Sequence, residues 1–577
     1  MAKILGIDLG TTNSCASIYE DNEMRVLHLE PNQVTLPSVV RFTNRKLDEV
    51  SVGTSAKRMV LIKPDEVFAS VKSLMRDEEW KSDDSLVDKF TIEDKLLTPT
   101  DISAIILKEI IRLVKENNEY NEPIEECVIC VPANSTVYKQ HILEAAIQAG
   151  LGKRDDAGEI IRDKKKGNPL GIYLLEEPTA AAIAYAQDKG FFEEGKKLGS
   201  VLLVYDFGGG TFDVTILEVA PPKEEECNGR QVILPQFNVL STKGISDLGG
   251  DKIDYVLMEI VAKQFYDQYD IDLLDPKKEN RGNSPAKVKL AQSVLKEMAE
   301  GKKIEFSLGA DAVQFEHNCL IEDMDNEIPC KLDIVVKREE FIEAITPLIE
   351  SSLKCTEEAL TAAHKNIDDI NRIILVGGSS KAPWVRDAIS KRFREPYNPK
   401  NQDTIVAMGA ARYGQILQGN ESQTTIGQDE GIEEGSRPVP PINGITTHHY
   451  GLELQGGYFS PLVEKGLKFD AEHLEHSYTA IYSNPNDSGK IKIAVWATQE
   501  ELSIIEKNGI KIASLNVHAQ KDNRPIFEYV GEYEVTIPIA PKGELQIEIS
   551  LCVSSENIVS VKAKIGDNEP QLAEWKI

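Results

Sequence analysis

Two segments of the chain share a pattern suited to holding phosphate. Ile4-Leu5-Gly6-Ile7-Asp8-Leu9-Gly10-Thr11-Thr12 is echoed by Leu202-Leu203-Val204-Tyr205-Asp206-Phe207-Gly208-Gly209-Gly210-Thr211. In each, an apolar β-favouring run ends in Asp, turns through Gly and Thr, and enters a second such run, Cys15–Tyr19 or Phe212–Val219. Glycine lets the backbone come close to phosphate oxygens and aim N–H groups at them. Threonine adds hydroxyls, and an Asp at a strand end suits a hydrated magnesium ion. One such turn would serve equally well as a plain hairpin. Two in equivalent contexts point to a duplicated unit whose turns face each other across a cleft. Gly190–Lys197 nearly spells a different phosphate loop, but it lacks the Ser or Thr that would hold magnesium and precedes a strand. It is a chance match.

The elements that must position these turns follow from periodicity. Strand-like and helix-like segments alternate through residues 1–417. Ile102, Ile105, Ile106, Ile110 and Leu113 recur at helical spacing within Asp101–Lys115. Such alternation predicts an α/β domain. Residues 418–443 are rich in Gly, Glu, Gln, Ser and Pro and read as a solvated linker, with too little apolar surface to offset its ordering entropy. From 444 to 577 short alternating runs recur, among them Lys490–Trp496, Glu532–Ile539, Leu545–Leu551 and Ile558–Ile565, as in an antiparallel β domain.

A chain of 577 residues exceeds one hydrophobic core. Its net charge of -29 disfavours nucleic-acid and anionic-membrane partners. No membrane span or leader is expected, and a cytoplasmic setting fits eight scattered cysteines. Cys127 and Cys130 have metal-like spacing, but residues three apart on a strand point to opposite faces. Buried thiols are the expectation.

The phosphate turns, with Ile374–Pro383, Glu176–Ala182 and Asp247–Asp251, resemble the diagnostic motifs of the DnaK-type heat-shock chaperones, the seventy-kilodalton family. The resemblance runs in order through residues 1–417, continues more weakly across 445–566, and goes beyond the pattern shared with actin and sugar kinases. It implies a two-lobed actin-like α/β ATPase fold, then an antiparallel β-sandwich that binds peptide, here without the family's C-terminal helical lid. The implied activity is ATP hydrolysis that regulates the grip on unfolded polypeptide. ATP or ADP, Mg2+ and K+ are the implied ligands, and a J-domain co-chaperone and a nucleotide-exchange factor the implied partners. The alternatives are a non-cycling holdase, a nucleotide-exchange co-chaperone or, from another class, a small-molecule kinase on the same fold.

By the same resemblance, Asp8, Asp206 and Glu177 surround the hydrated magnesium and the attacking water. Lys72 positions the nucleophile. Gly10, Thr11, Thr12 and Asn13 form the first phosphate loop; Gly208, Gly209, Gly210 and Thr211 form the second, with Thr211 at the γ-phosphate. Glu300, Lys303 and Ser307 contact adenosine, although Glu300 and Lys303 read alone would be an ordinary i,i+3 ion pair. Gly249, Gly250, Gly377, Gly378, Ser379, Lys381 and Asp403 complete the nucleoside pocket. Phe459, Tyr478, Ile491 and Ile493 fall where the family lines its peptide cleft, or else belong to the sandwich core. Departures from the family lie at Val131–Gln140, which keeps Pro132, lacks the usual aromatic pair and has Lys139 as its relay cation, at an inserted loop over 153–168, and in the linker, where no compact apolar strand is visible.

Overall fold

A computed structural model describes residues 4–576 other than 22, 61, 76–78, 118–123, 125, 133–135, 156, 163–168, 189–199, 228–229, 398, 400, 423–441, 444–445, 447, 455, 468–472, 484–489, 501, 508–509, 522–523, 537–543, 555–558, 566–570 and 573. At 79, 85, 136–137, 221–227, 230–236, 418–422, 442–443, 473–483, 490–491, 507, 521, 524–525, 536, 544–546, 554, 565, 571–572 and 574–576 it describes the backbone alone.

The duplicated turns sit in two sheets of matching topology. In the first, β1 (Leu5–Asp8) pairs antiparallel with β2 (Asn13–Glu20), which is followed by β3 (Glu23–Val26) and also carries β4 (Thr35–Pro37). On its other side β1 pairs parallel with β5 (Cys127–Val131), which is followed by β6 (Ile172–Glu176). In the second, β7 (Ser200–Phe207) lies antiparallel to β8 (Phe212–Cys227) and parallel to β10 (Arg372–Val376), while β9 (Arg230–Ile245) extends the sheet beyond β8. Asp8 stands opposite Cys15 in one and Asp206 opposite Asp213 in the other. This equivalence is the one that the sequence repeat predicts.

Between the sheets lie two helices, α3 (Glu177–Asp188) and α8 (Ile405–Ser422). Their seam is made of small residues. A Cβ on Gly409 would lie 1.7 Å from the Ala180 carbonyl oxygen, and one on Gly6 would lie 2.3 Å from the Ala411 nitrogen. Backbones so close exclude any side chain at these positions. The apolar helix expected over 101–115 is α1 (Pro99–Asn117), which buries Ile102, Ile106 and Ile110. Cys127 packs in the cluster with Ile129 and Val131, whereas Cys130 joins a different cluster with Val128 and Leu175, as opposite faces of one strand require.

The linker expectation needs correcting at both ends. The helix α8 runs five residues past 417, and Ile442–Asn443, labelled β11, adds as a parallel strand beside Phe237–Asn238 of β9. A strand edge offers unpaired backbone groups, so this docking does not depend on apolar side chains. Residues 423–441 fall outside the described residues.

The C-terminal part is a sandwich. One sheet has the order β13–β12–β15–β16–β20, formed by Tyr458–Val463, His449–Leu454, Lys490–Thr498, Glu528–Thr536 and Glu574–Lys576. The other is β14 (His473–Ser483), β17 (Glu544–Ser554), β18 (Val559–Ile565) and β19 (Gln571–Leu572), in that order. Alternate residues such as Val495, Ala497, Leu551, Val553 and Val561 fill the space between them. The sandwich touches helix α2 (Thr136–Gln148), where Gln140 Nε2 donates to the Val559 carbonyl at 2.5 Å and Tyr533 Oη donates to the same oxygen at 2.9 Å. Among the described residues, no helix is long and apolar enough to cross a membrane.

Candidate nucleotide-binding site

A cleft of about 770 Å³ opens where the two phosphate turns meet. Twenty of the residues singled out from sequence line it, from Asp8 and Gly10 at one wall to Lys381 and Asp403 at another. Gly210 and Gly249 do not. Gly249 supports the second turn from behind, with space so tight that a Cβ would lie 2.4 Å from the Gly209 carbonyl oxygen. The turns themselves touch, since a Cβ on Gly209 would meet Thr12 Oγ1 at 2.5 Å. Glycine is therefore needed here for packing.

At the deep end, Lys72 is held on the short 3-10 turn Val71–Met75 and is 5% exposed. Its Nζ donates to Glu177 at 2.8 Å, at the start of α3. Burial alone would lower the ammonium, but Glu177 and Asp8 outweigh it and hold Lys72 above its ordinary range. Burial and the neighbouring Glu177 push the Asp8 carboxyl up to about 7, against the pull of Lys72. Burial, then Glu177, Asp213 and Asp8, push Asp206 well above the usual carboxylate range. These three carboxylates share one ammonium, so the corner is short of positive charge. A divalent cation would supply it. Among the described residues no three side chains are close enough to ligate a metal directly. The donor set therefore suits an ion that keeps its waters, as magnesium does.

The opposite end is built by α5 (Pro285–Ser307), which presents Glu300, Lys303 and Ser307 on one face. The i,i+3 ion pair does not form. Lys303 Nζ instead donates to Asp254 at 2.9 Å and to the Gly250 carbonyl at 3.2 Å, on α4 (Gly250–Tyr269). Glu300 pairs at 3.4 Å with Lys57, across the mouth of the cleft. Both long side chains thus find partners on other elements, which spacing along one helix cannot foretell. Burial pushes Asp254 up to about 6 despite Lys303. Asp254 is a cleft residue missed by the sequence reading, although its place four residues after Gly250 on a helix was a usable signal. Tyr138, Gln402 and Trp384 were missed as well. Lys381 pairs with Asp403, and Ser379 Oγ donates to the Gly208 carbonyl at 2.8 Å, tying the nucleoside wall to the phosphate turn.

Of the predicted peptide-cleft residues, Phe459 and Ile493 fall in two different apolar clusters. Phe459 is fully buried against Phe527, at 4.9 Å between ring centroids, in a small cluster with Ala513 and Val517. Ile493 belongs to the main sandwich core. Inward-facing and cleft-lining residues share one alternation, so the pattern could not separate them. The side chains of Tyr478 and Ile491 lie outside the described residues. At the domain boundary, Lys139 bonds Glu176 at 3.0 Å, while its neighbour Gln140 makes the sandwich contact.

The family model described as "Hsp70 protein" matches residues 4–573. The chain is 31% identical to a protein named "Chaperone protein DnaK" from Buchnera aphidicola subsp. Schizaphis graminum, over 98% of this chain and 77% of that one. It is 30% identical to a protein of the same name from Psychrobacter cryohalolentis, over 98% of this chain and 75% of the relative. Matched over nearly its whole length and carrying both phosphate turns of a duplicated cleft, the chain belongs to the Hsp70 family of chaperones.

Proposed function

We propose that this chain hydrolyses ATP and uses its nucleotide state to regulate a grip on unfolded polypeptide segments. The observation that carries the reading is the buried Lys72–Glu177 pair beside Asp8 and Asp206, at the point where two Gly-Thr turns converge. When bound, Mg2+·ATP supplies the electrophilic phosphorus and the positive charge that this corner lacks. Asp8, Asp206 and Glu177 hold the waters of the cation and orient the attacking water. Lys72 neutralises charge developing on phosphoryl oxygens, and Thr211 hydrogen-bonds at the γ-position. Backbone N–H groups of Gly10–Asn13 and Gly208–Thr211 cradle the remaining phosphates. Glu300, Lys303, Ser307, Gly249, Gly250, Gly377, Gly378, Ser379, Lys381 and Asp403 hold the nucleoside, and K+ is a further ion for the phosphate corner.

In this reading, β11 and the Gln140 contact link the sandwich to the nucleotide domain. A J-domain protein and an exchange factor would then drive the cycle in the cytoplasm. The test is ATP turnover by the full chain, alone, with an unfolded peptide, and with a J-domain protein. Stimulation by either supports the cycling chaperone. Tight ATP binding with negligible turnover in all three conditions indicates a holdase or exchange partner. Unchanged ATP affinity in EDTA counts against the carboxylate site.

A further inference from the structure

Strands β15 and β16 pair antiparallel as far as Ala497 and Glu528, and a turn of about two residues can join such neighbours. The chain instead connects them through residues 499–527, which carry two small hairpins, Ile504–Lys507 with Ile510–Ala513 and Gln520–Lys521 with Arg524–Pro525. A connection this long is uncommon in a compact domain and, when structured, marks a functional loop. This one folds back over β13, the outermost strand of its sheet. Val517 N–H donates to the Gly457 carbonyl at 2.9 Å, and Asn516 Nδ2 donates to the Gly456 carbonyl at 3.0 Å. Asn516 also forms an antiparallel bridge with Tyr458, and Ser460 Oγ donates to the Lys511 carbonyl at 2.8 Å. So close an approach needs glycine, since a Cβ on Gly457 would lie 2.6 Å from Asn516 Nδ2. Ala513, Leu515 and Val517, at every second position, pack with Phe459 and Phe527.

We propose that the edge of β13, with the turn Gly456–Gly457 before it, is a binding site for a short polypeptide segment with apolar residues at alternate positions. Ala513–Val517 is its resident occupant, and an incoming segment binds by displacing it. This deepens the peptide-grip reading above and rests on it for the identity of the incoming segment. A sheet edge accepts a foreign segment through backbone hydrogen bonds and selects it through pockets for alternate side chains. The resident segment uses both means, lending the Val517 N–H and burying Val517 and Ala513, which are 1% and 2% exposed. Among the described residues its hold on the edge is one isolated bridge and not a ladder. The Lys511–Glu464 pair beside it is nearly half exposed and adds little. A tethered occupant competes at an effective concentration on the order of millimolar. A free peptide therefore binds in proportion to the fraction of molecules in which the segment has lifted. Lifting uncovers Phe459 and Phe527 as the floor of the site.

The probe is a labelled peptide of residues Ile510–Gln520, titrated against the full chain by fluorescence anisotropy. A shortened chain, with Gln499 joined to Phe527 through Asn-Gly, should bind it at least about tenfold more tightly than the unmodified chain. Tyr458→Cys with Asn516→Cys places two thiols at bridged positions, within reach of a disulfide. When oxidised, this double variant should bind the probe at least about tenfold more weakly than after reduction. Equal affinity in the two forms would overturn the proposal. So would a shortened chain that melts cooperatively yet binds the probe no more tightly. If the shortened chain does not fold, the oxidised and reduced forms decide alone. A labelled apolar peptide of unrelated sequence separates this site from the peptide-grip reading. Binding to the reduced form and not to the oxidised one supports both. Equal binding to both forms leaves the grip on another surface and overturns this site. If the probe binds as expected and the unrelated peptide does not bind at all, the site stands and the grip reading falls.

Discussion

The nucleotide cleft and the sandwich core solve opposite physical problems. In the cleft, Asp8, Asp206, Glu177 and Lys72 are gathered out of water with one ammonium among three carboxylates. Such a cluster costs folding free energy, and the strain in its protonation is visible in Asp8, pushed up to about 7. Between the sandwich sheets the interior is almost wholly hydrocarbon, from Tyr450 and Val495 to Val561. The cleft is built to be completed by a ligand, and the sandwich core is complete as it stands. Stability and activity should therefore respond to mutation in opposite senses in the two regions.

The largest effect is expected in the cleft. Lys72→Ala should slow single-turnover hydrolysis by about 10²- to 10³-fold while leaving ATP affinity within a few-fold, the pattern of a group that acts mainly in the transition state. Rapid-quench measurement checks it; unchanged hydrolysis would remove Lys72 from the mechanism. In the sandwich the same kind of truncation should act on stability. Phe459→Ala should cost about 3–5 kcal/mol in the sandwich unfolding transition, because the ring is enclosed by Phe527, Ala513 and Val517. Chemical denaturation reads this directly. A loss of peptide binding with little loss of stability would instead place Phe459 on a cleft.

The smallest effect lies at the boundary between the regions. His448 is fully buried, with Gln499 Nε2 at 3.1 Å, and burial followed by the Lys139 and Lys465 charges lowers it to about 3 from an ordinary 6.5. The fold therefore refuses a proton that the unfolded chain accepts. His448 should make stability fall as pH drops below about 6.5, at about 1.4 kcal/mol per unit and so by about 2 kcal/mol at pH 5. Urea denaturation at pH 7 and pH 5 tests the slope, which His448→Gln should flatten. An equal slope in the variant would mean that His448 is not the group responsible.

Sequence alone determined the phosphate turns, because the backbone approach and the strand-end carboxylate are local demands, met by particular residues at fixed spacing. It determined the α/β and β regions for the same reason, since burial on one face imposes a period. Tertiary structure alone decided which partner each charged or apolar side chain found. Lys303 chose Asp254 over Glu300, Phe459 turned into a private core, and Gln140 bonded the sandwich while Lys139 bonded Glu176. Periodicity fixes the face on which a residue stands. What packs against that face is set by strands and helices hundreds of residues away, brought near only when the sheets close over α3 and α8.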